Sequence, residues 1–162
     1  MNKSYNFFKY AAFIIIMFLC TGMLMAEVKK IQSTRLHTMI RNGADEEEIR
    51  RMLVQNYDAN ARDEQNRTPL HWAAIYAKPK IAQVLLGGGA DPAAKDFQGN
   101  TPLHLAVKYD VLWQDRLATI DELLVNDANI YVKNNAMYSP VEDAIDYVFK
   151  KMMLDFVEMH AQ

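Results

Sequence analysis

TPLHWAA (Thr68–Ala74) and TPLHLAV (Thr101–Val107) spell almost the same heptad at an offset of 33 (101 − 68). Such a pair is either two halves of one site, each supplying a histidine, or one structural joint built twice. The residues around each copy decide between them. DEQNRTPLHWAAIYAKPKIAQVLLGGGADPAAK begins at Asp63, and DFQGNTPLHLAVKYDVLWQDRLATIDELLVNDANIYVK begins at Asp96. Leu85-Leu86 recurs as Leu123-Leu124, and Gly89 matches Asp127, now at an offset of 38 (123 − 85), so the second copy holds five extra residues after Tyr109. Self-similarity at this period marks a stack of supersecondary units, none of which can bury its apolar face alone.

Weaker copies flank the pair. Upstream, Met52-Leu53 precedes Leu85-Leu86 at the offset of the two heptads (85 − 52); downstream, Ser139-Pro140 falls where Thr101-Pro102 would recur. Four units are therefore expected, about 34–62, 63–95, 96–133 and 134–162, the outer two divergent as caps must be.

Local chemistry fits helix pairs. Thr68 and Thr101 are N-caps whose hydroxyls can accept a first-turn N–H. Pro69 and Pro102 follow at the first helical position, where no N–H is needed. Gly87–Gly89 end the second helix and permit positive φ, and Asp91-Pro92 opens a turn. Glu46–Arg50 and Glu47–Arg51 are spaced as i,i+4 pairs on a solvated face.

Thr68-Pro69-Leu70-His71, Gly87–Pro92 and Thr101-Pro102-Leu103-His104, in register, resemble the ankyrin repeat. The resemblance covers about Thr34 to Val157 and implies an all-α solenoid of helix–turn–helix units with hairpin-like loops. It implies structural hydrogen bonding for His71 and His104. It also implies that partners bind the loop tips and the inner face of the first helices. Here that surface is Glu64, Gln65, Arg67, Trp72, Ile75 and Tyr76, then Lys95, Phe97, Gln98, Asn100, Lys108 and Tyr109, then Lys133, Met137, Tyr138 and Asp146. Trp72, whose counterpart is Leu105, is read as packing. Tyr76, Phe97 and Tyr109 are read as contacts, Phe97 above all, because a loop tip has little core to reach. In the insertion, Val111, Leu112 and Trp113 form either an exposed apolar contact or one more helical turn.

Composition narrows the function. The chain has 162 residues, 51% hydrophobic and 23% charged, with a net charge of −2, so no broad basic field exists to hold a nucleic-acid backbone. His71 and His104 have no second His, Cys or carboxylate at ligand spacing, and the glycine run lacks the lysine of a phosphate loop. No catalytic set stands out, and neither enzyme activity nor a cofactor is expected. Glu142, in the histidine position of the last unit, and Asp146 share an expected helix face; they carry the less favoured alternative of a metal-dependent enzyme.

Residues 1–26 differ in kind. Lys3 and Lys9, the apolar run Ala11–Cys20 and small residues up to Ala26 describe a secretory signal, with cleavage after Ala26 or after Gly22. The alternative is a retained anchor, although Ala11–Ala26 has 16 residues, short of the roughly 20 that span a bilayer. A lipid on Cys20 is disfavoured by Leu19 before it. Removing the signal leaves residues 27–162 without cysteine, at a net charge of −4 (16 basic against 20 acidic). The expectation is a monomeric protein-binding module exported to the periplasm or secreted, its partner an envelope protein, with a membrane-tethered scaffold as the alternative.

Overall fold

The computed structural model describes residues 35–108, 113–144 and 147–160. Expectations about residues 1–26, Tyr109, Val111, Leu112 and Asp146 lie outside them. Eight helices and no strand occur among the described residues: α1 (35–41), α2 (Glu46–Val54), α3 (Pro69–Ile75), α4 (Pro79–Gly87), α5 (Pro102–Lys108), α6 (Trp113–Val125), α7 (Pro140–Asp143) and α8 (Tyr147–His160). Consecutive helices pair into four units. First helices stack as α3 on α5 on α7, and second helices as α2 on α4 on α6.

One apolar cluster runs through the stack. Leu36, Leu70 and Leu103, the leucines before each unit's histidine, are 0–1% exposed, as are Ile49, Leu85 and Leu123 of the second helices. Burying each contributes about 1.5–3 kcal/mol. Ala73, Ala74 and Ala106, at most 2% exposed, keep neighbouring first helices close.

The chain turns through left-handed backbone at matching positions in successive units. Asn56, Gly89 and Asp127 (φ 63°, 84° and 64°) end the second helices; Asn66, Gly99 and Met137 (φ 62°, 76° and 66°) sit at the hairpin tips. The glycine run is more specialised than its spelling suggests. Gly87 is still helical, Gly88 is the cap at φ −87°, and only Gly89 has positive φ. Gly88 answers a different need, because a Cβ there would lie 2.6 Å from Leu53 Cδ1 of the preceding unit.

The charge pattern on α2 also differs from its i,i+4 reading. Arg50 Nε lies 3.5 Å from Glu47 at i,i+3, and Arg51 Nε donates to the Glu47 carbonyl. Glu46 instead bonds Lys80 of α4 at 3.1 Å, because the stacked unit brings that ammonium alongside. The insertion lengthens a helix: α6 has 13 residues where α2 and α4 have 9. Trp113 opens the added turn.

Candidate recognition surface

Each hairpin is built around one side-chain acceptor. Asp63 Oδ1 accepts the N–H groups of Gln65 and Arg67, Asp96 Oδ1 those of Gln98 and Asn100, and Asn134 Oδ1 those of Ala136 and Tyr138, all at 2.8–3.1 Å. The same residue's N–H donates to the carbonyl four positions on: Arg67, Asn100 or Tyr138. Backbone polar groups at the tight loop thereby find partners within the hairpin itself.

Those three carbonyls are also held from below. His37 Nε2 lies 3.0 Å from the Arg67 carbonyl, His71 Nε2 3.0 Å from that of Asn100, and His104 Nε2 3.1 Å from that of Tyr138. α1, α3 and α5 thus each grip the hairpin of the unit ahead. At the other ring nitrogen, the Thr68 N–H donates to His71 Nδ1 and the Thr101 N–H to His104 Nδ1, both at 3.0 Å. Nδ1 must therefore be bare, so the proton sits on Nε2 and donates to the carbonyl. The threonine hydroxyls pair with the same Nδ1 atoms at 2.9 and 2.8 Å rather than simply capping a first-turn N–H. Burial pushes His71 down to about 4 and lowers His104 as well, against the pull of the carbonyl bonds. With both ring nitrogens engaged and no accessible surface, neither imidazole can meet a substrate. The repeated heptad is a joint between units.

Glu142 takes the histidine position in the last unit and reproduces the capping half of the joint. Ser139 donates to its Oε2 through both N–H (2.8 Å) and Oγ–H (2.7 Å). α7 ends at Asp143, where Ala144 turns extended (ψ 119°); Asp146, expected to share a face with Glu142, lies outside the described residues. Among the described residues no three His, Cys, Asp or Glu side chains group as a metal site would need. An apolar groove of about 400 Å³, lined by Leu117, Ala118, Leu124 and Phe156 with Gln114 and Asp121, offers no converging polar set for chemistry.

The expected contact residues fall into two groups. Gln65, Phe97, Gln98, Lys108 and Tyr138 are exposed, as are Glu64, Lys95, Lys133 and Met137. Arg67 is half-buried: its Nε lies 3.7 Å from Asp96 and its guanidinium sits 5.7 Å over the Trp72 ring, so it ties two units together. Trp72 is structural too, donating from Nε1 to Asp63 Oδ2 at 2.8 Å. Tyr76 stacks on Trp72 with ring centres 5.9 Å apart, and Ile75 beside it is also half-buried. Asn100, expected at the surface, is buried at 3%, its Oδ1 accepting from Asn134 Nδ2. The Trp113 side chain lies outside the described residues. Sequence reasoning missed His37 as a third joint, although Leu36-His37 precedes Leu70-His71 at nearly the repeat offset (71 − 37).

The exposed set lies on one ladder. Phe97 N–H donates to the Gln65 carbonyl at 3.1 Å, Asn135 N–H to that of Gln98 at 3.0 Å, and Asn135 Nδ2 to that of Phe97 at 3.0 Å. Gly99 is obligatory in this contact, because a Cβ would run into Asn135, 2.8 Å from its backbone nitrogen.

Comparison with known proteins agrees with this construction. A family model for ankyrin repeats in three copies matches residues 19–96 and 36–135, well over half of the chain. No curated protein gives a match. Ankyrin repeats generally mediate protein–protein interaction and are typically non-catalytic. Matched across most of its length, with the repeated heptads closing one joint between successive units, this chain belongs to the ankyrin-repeat family.

Proposed function

We propose that the chain is an exported, monomeric interaction module that does no chemistry itself and binds an envelope protein through its hairpin tips and first-helix face. The observation behind this reading is the row of exposed apolar side chains on adjacent hairpins, Phe97 at 70%, Met137 at 66% and Tyr138 at 55%. Those hairpins are cross-bonded to each other and to the buried histidines, so little ordering is left for binding to impose. Aromatic anchors of this kind dominate interface energies.

Capture from envelope extract tests the reading, with the native chain as one bait and a Phe97→Ala/Tyr138→Ala variant as the other. A stoichiometric protein held by the first and lost by the still-folded second supports it. Equal retention by both moves the site away from these tips. Export rests on the N-terminal sequence, and the intact mass from fractionated cells tests it. A chain starting at Glu27 in the periplasm or medium supports a cleaved signal. An unprocessed chain in membranes favours the tethered scaffold, and an unprocessed chain in the cytosol refutes export.

A further inference from the structure

Eight large apolar side chains stand exposed among the described residues, and three of them sit on two neighbouring hairpins: Phe97, Met137 and Tyr138, with Tyr131 (56%) in the loop leading into the second. Met137 is the most informative. It holds the left-handed position (φ 66°) that its counterparts fill with Asn66 and Gly99. A methionine there carries backbone strain that asparagine or glycine would escape, and buries little in return. Neither strain nor burial favours methionine at this tip; contact with something outside the chain would.

The exposed charge on the tips themselves, 95–100 and 133–138, is basic. Lys95 and Lys133, each preceding its hairpin's anchor residue, are exposed, and Lys95 Nζ spans to the Lys133 carbonyl at 3.0 Å. Neither has a carboxylate within ion-pair distance among the described residues. Lys108 is exposed at the end of α5. The one carboxylate in the tips 95–100 and 133–138, Asp96, is 6% exposed and already bonded to Gln98, Asn100 and Arg67; Asp91 and Asp127, both exposed, lie farther back in the same connecting loops. On the borders, Glu142 is bonded to Ser139 and Asp143 is half-buried, 3.4 Å from Asn134 Nδ2. Glu64, exposed at the Phe97 position of the preceding hairpin, ends the basic zone on that side.

We propose that the third and fourth hairpins receive an acidic segment of the partner protein, its aromatic or large aliphatic side chain seated among Phe97, Met137 and Tyr138 and its carboxylates facing Lys95 and Lys133. This rests on the interaction-module reading above and adds the partner's chemistry to it. The lysines steer the encounter and set register, while the apolar anchor supplies most of the affinity. Two lysines on the tips of a chain of net charge −2 make a weaker case for nucleic acid, which needs a broad field of contacts.

The test is selection of random twelve-residue peptides on the full-length chain at low salt. Enriched peptides should combine net negative charge with at least one Phe, Trp, Leu or Met. A representative should bind about tenfold more weakly to Lys95→Glu/Lys133→Glu, and about threefold more weakly to Lys95→Gln/Lys133→Gln. Phe97→Ser should cost about tenfold as well. All substituted positions are exposed, and an unchanged melting midpoint shows that each variant is folded. Enrichment of neutral or basic peptides, no enrichment, binding indifferent to lysine replacement, or tighter binding of single-stranded DNA would each overturn the proposal. If the captured partner still requires Phe97 while selected peptides lack acidity, the interaction-module reading stands and this one falls. If nothing requires Phe97 or Tyr138, both fall.

Discussion

Lowering the pH from 7 to 5 should destabilise this protein through its buried histidines. His71 is held neutral by burial, its pKa lowered from 6.5 to about 4. In the unfolded chain the imidazole is free to protonate near 6.5. Stability contributed by the neutral ring is therefore fully present above pH 6.5, declines as the unfolded state takes up the proton, and is lost at about pH 4. At about 1.4 kcal/mol for each pH unit separating the two values, the full loss from His71 is about 3 kcal/mol, of which about 2 kcal/mol has gone by pH 5. His104, lowered by burial too, adds a loss of the same sign as the pH falls below 6.5. Against the 5–15 kcal/mol typical of a domain, such a loss is large. Urea unfolding at half-unit steps from pH 7.5 to 5 measures it directly, and NMR titration of the imidazole protons should show His71 still neutral at pH 5. His71→Gln removes the titrating group and should flatten the curve by about 2 kcal/mol, whatever its effect at pH 7. A change below about 0.5 kcal/mol between pH 7 and 5, or the same change in His71→Gln, would refute the reasoning.

Three further outcomes follow from the hairpins and the core. Gly99→Ala combines φ +76° with a Cβ driven into Asn135, and should lower unfolding free energy by about 2 kcal/mol; an unchanged urea midpoint would show that the two hairpins do not meet so closely. Met137→Asn replaces an exposed residue at φ 66° with one that tolerates the left-handed region, and should gain about 0.5 kcal/mol in thermal unfolding while weakening peptide binding. Leu103→Ala, at a fully buried position in the middle of the stack, should cost about 2–5 kcal/mol and lower the melting midpoint sharply.

What the sequence disclosed was what neighbouring residues do together. Thr101, Pro102 and His104 form a cap, a first turn and a reach back to the cap within four positions, so their spelling carries the geometry. His37 is harder to see because Arg35 stands where the other units have proline, although the histidine plays the same part. Glu142 invites a metal reading by its composition, yet Ser139-Pro140-Val141-Glu142 already spells a capping box. The role of Arg67 could not be read locally. Its partner Asp96 belongs to the next unit, and only stacking brings the two within 3.7 Å. Asn100 illustrates the same limit: it looks like a loop residue, but the adjacent hairpin covers it and Asn134 satisfies it.

The joint and the recognition surface are one construction. The Asn100 and Tyr138 carbonyls that accept from His71 and His104 close the hairpins bearing Phe97 and Met137. An exposed phenylalanine on a floppy loop would collapse onto the nearest apolar surface or lose most of its binding energy to ordering. Here the backbone on both sides of Phe97 is committed, its N–H to Gln65 and its carbonyl to Asn135, and the end of its hairpin is pinned from beneath by a buried ring. The ordering has taken place on folding, driven by the leucines of the stack, so the tips can remain apolar and outward-facing. The same economy explains why the histidines must be neutral and buried. A protonated ring would lose the Nδ1 acceptor that closes its own cap while still holding the hairpin ahead, setting the two halves of the joint against each other.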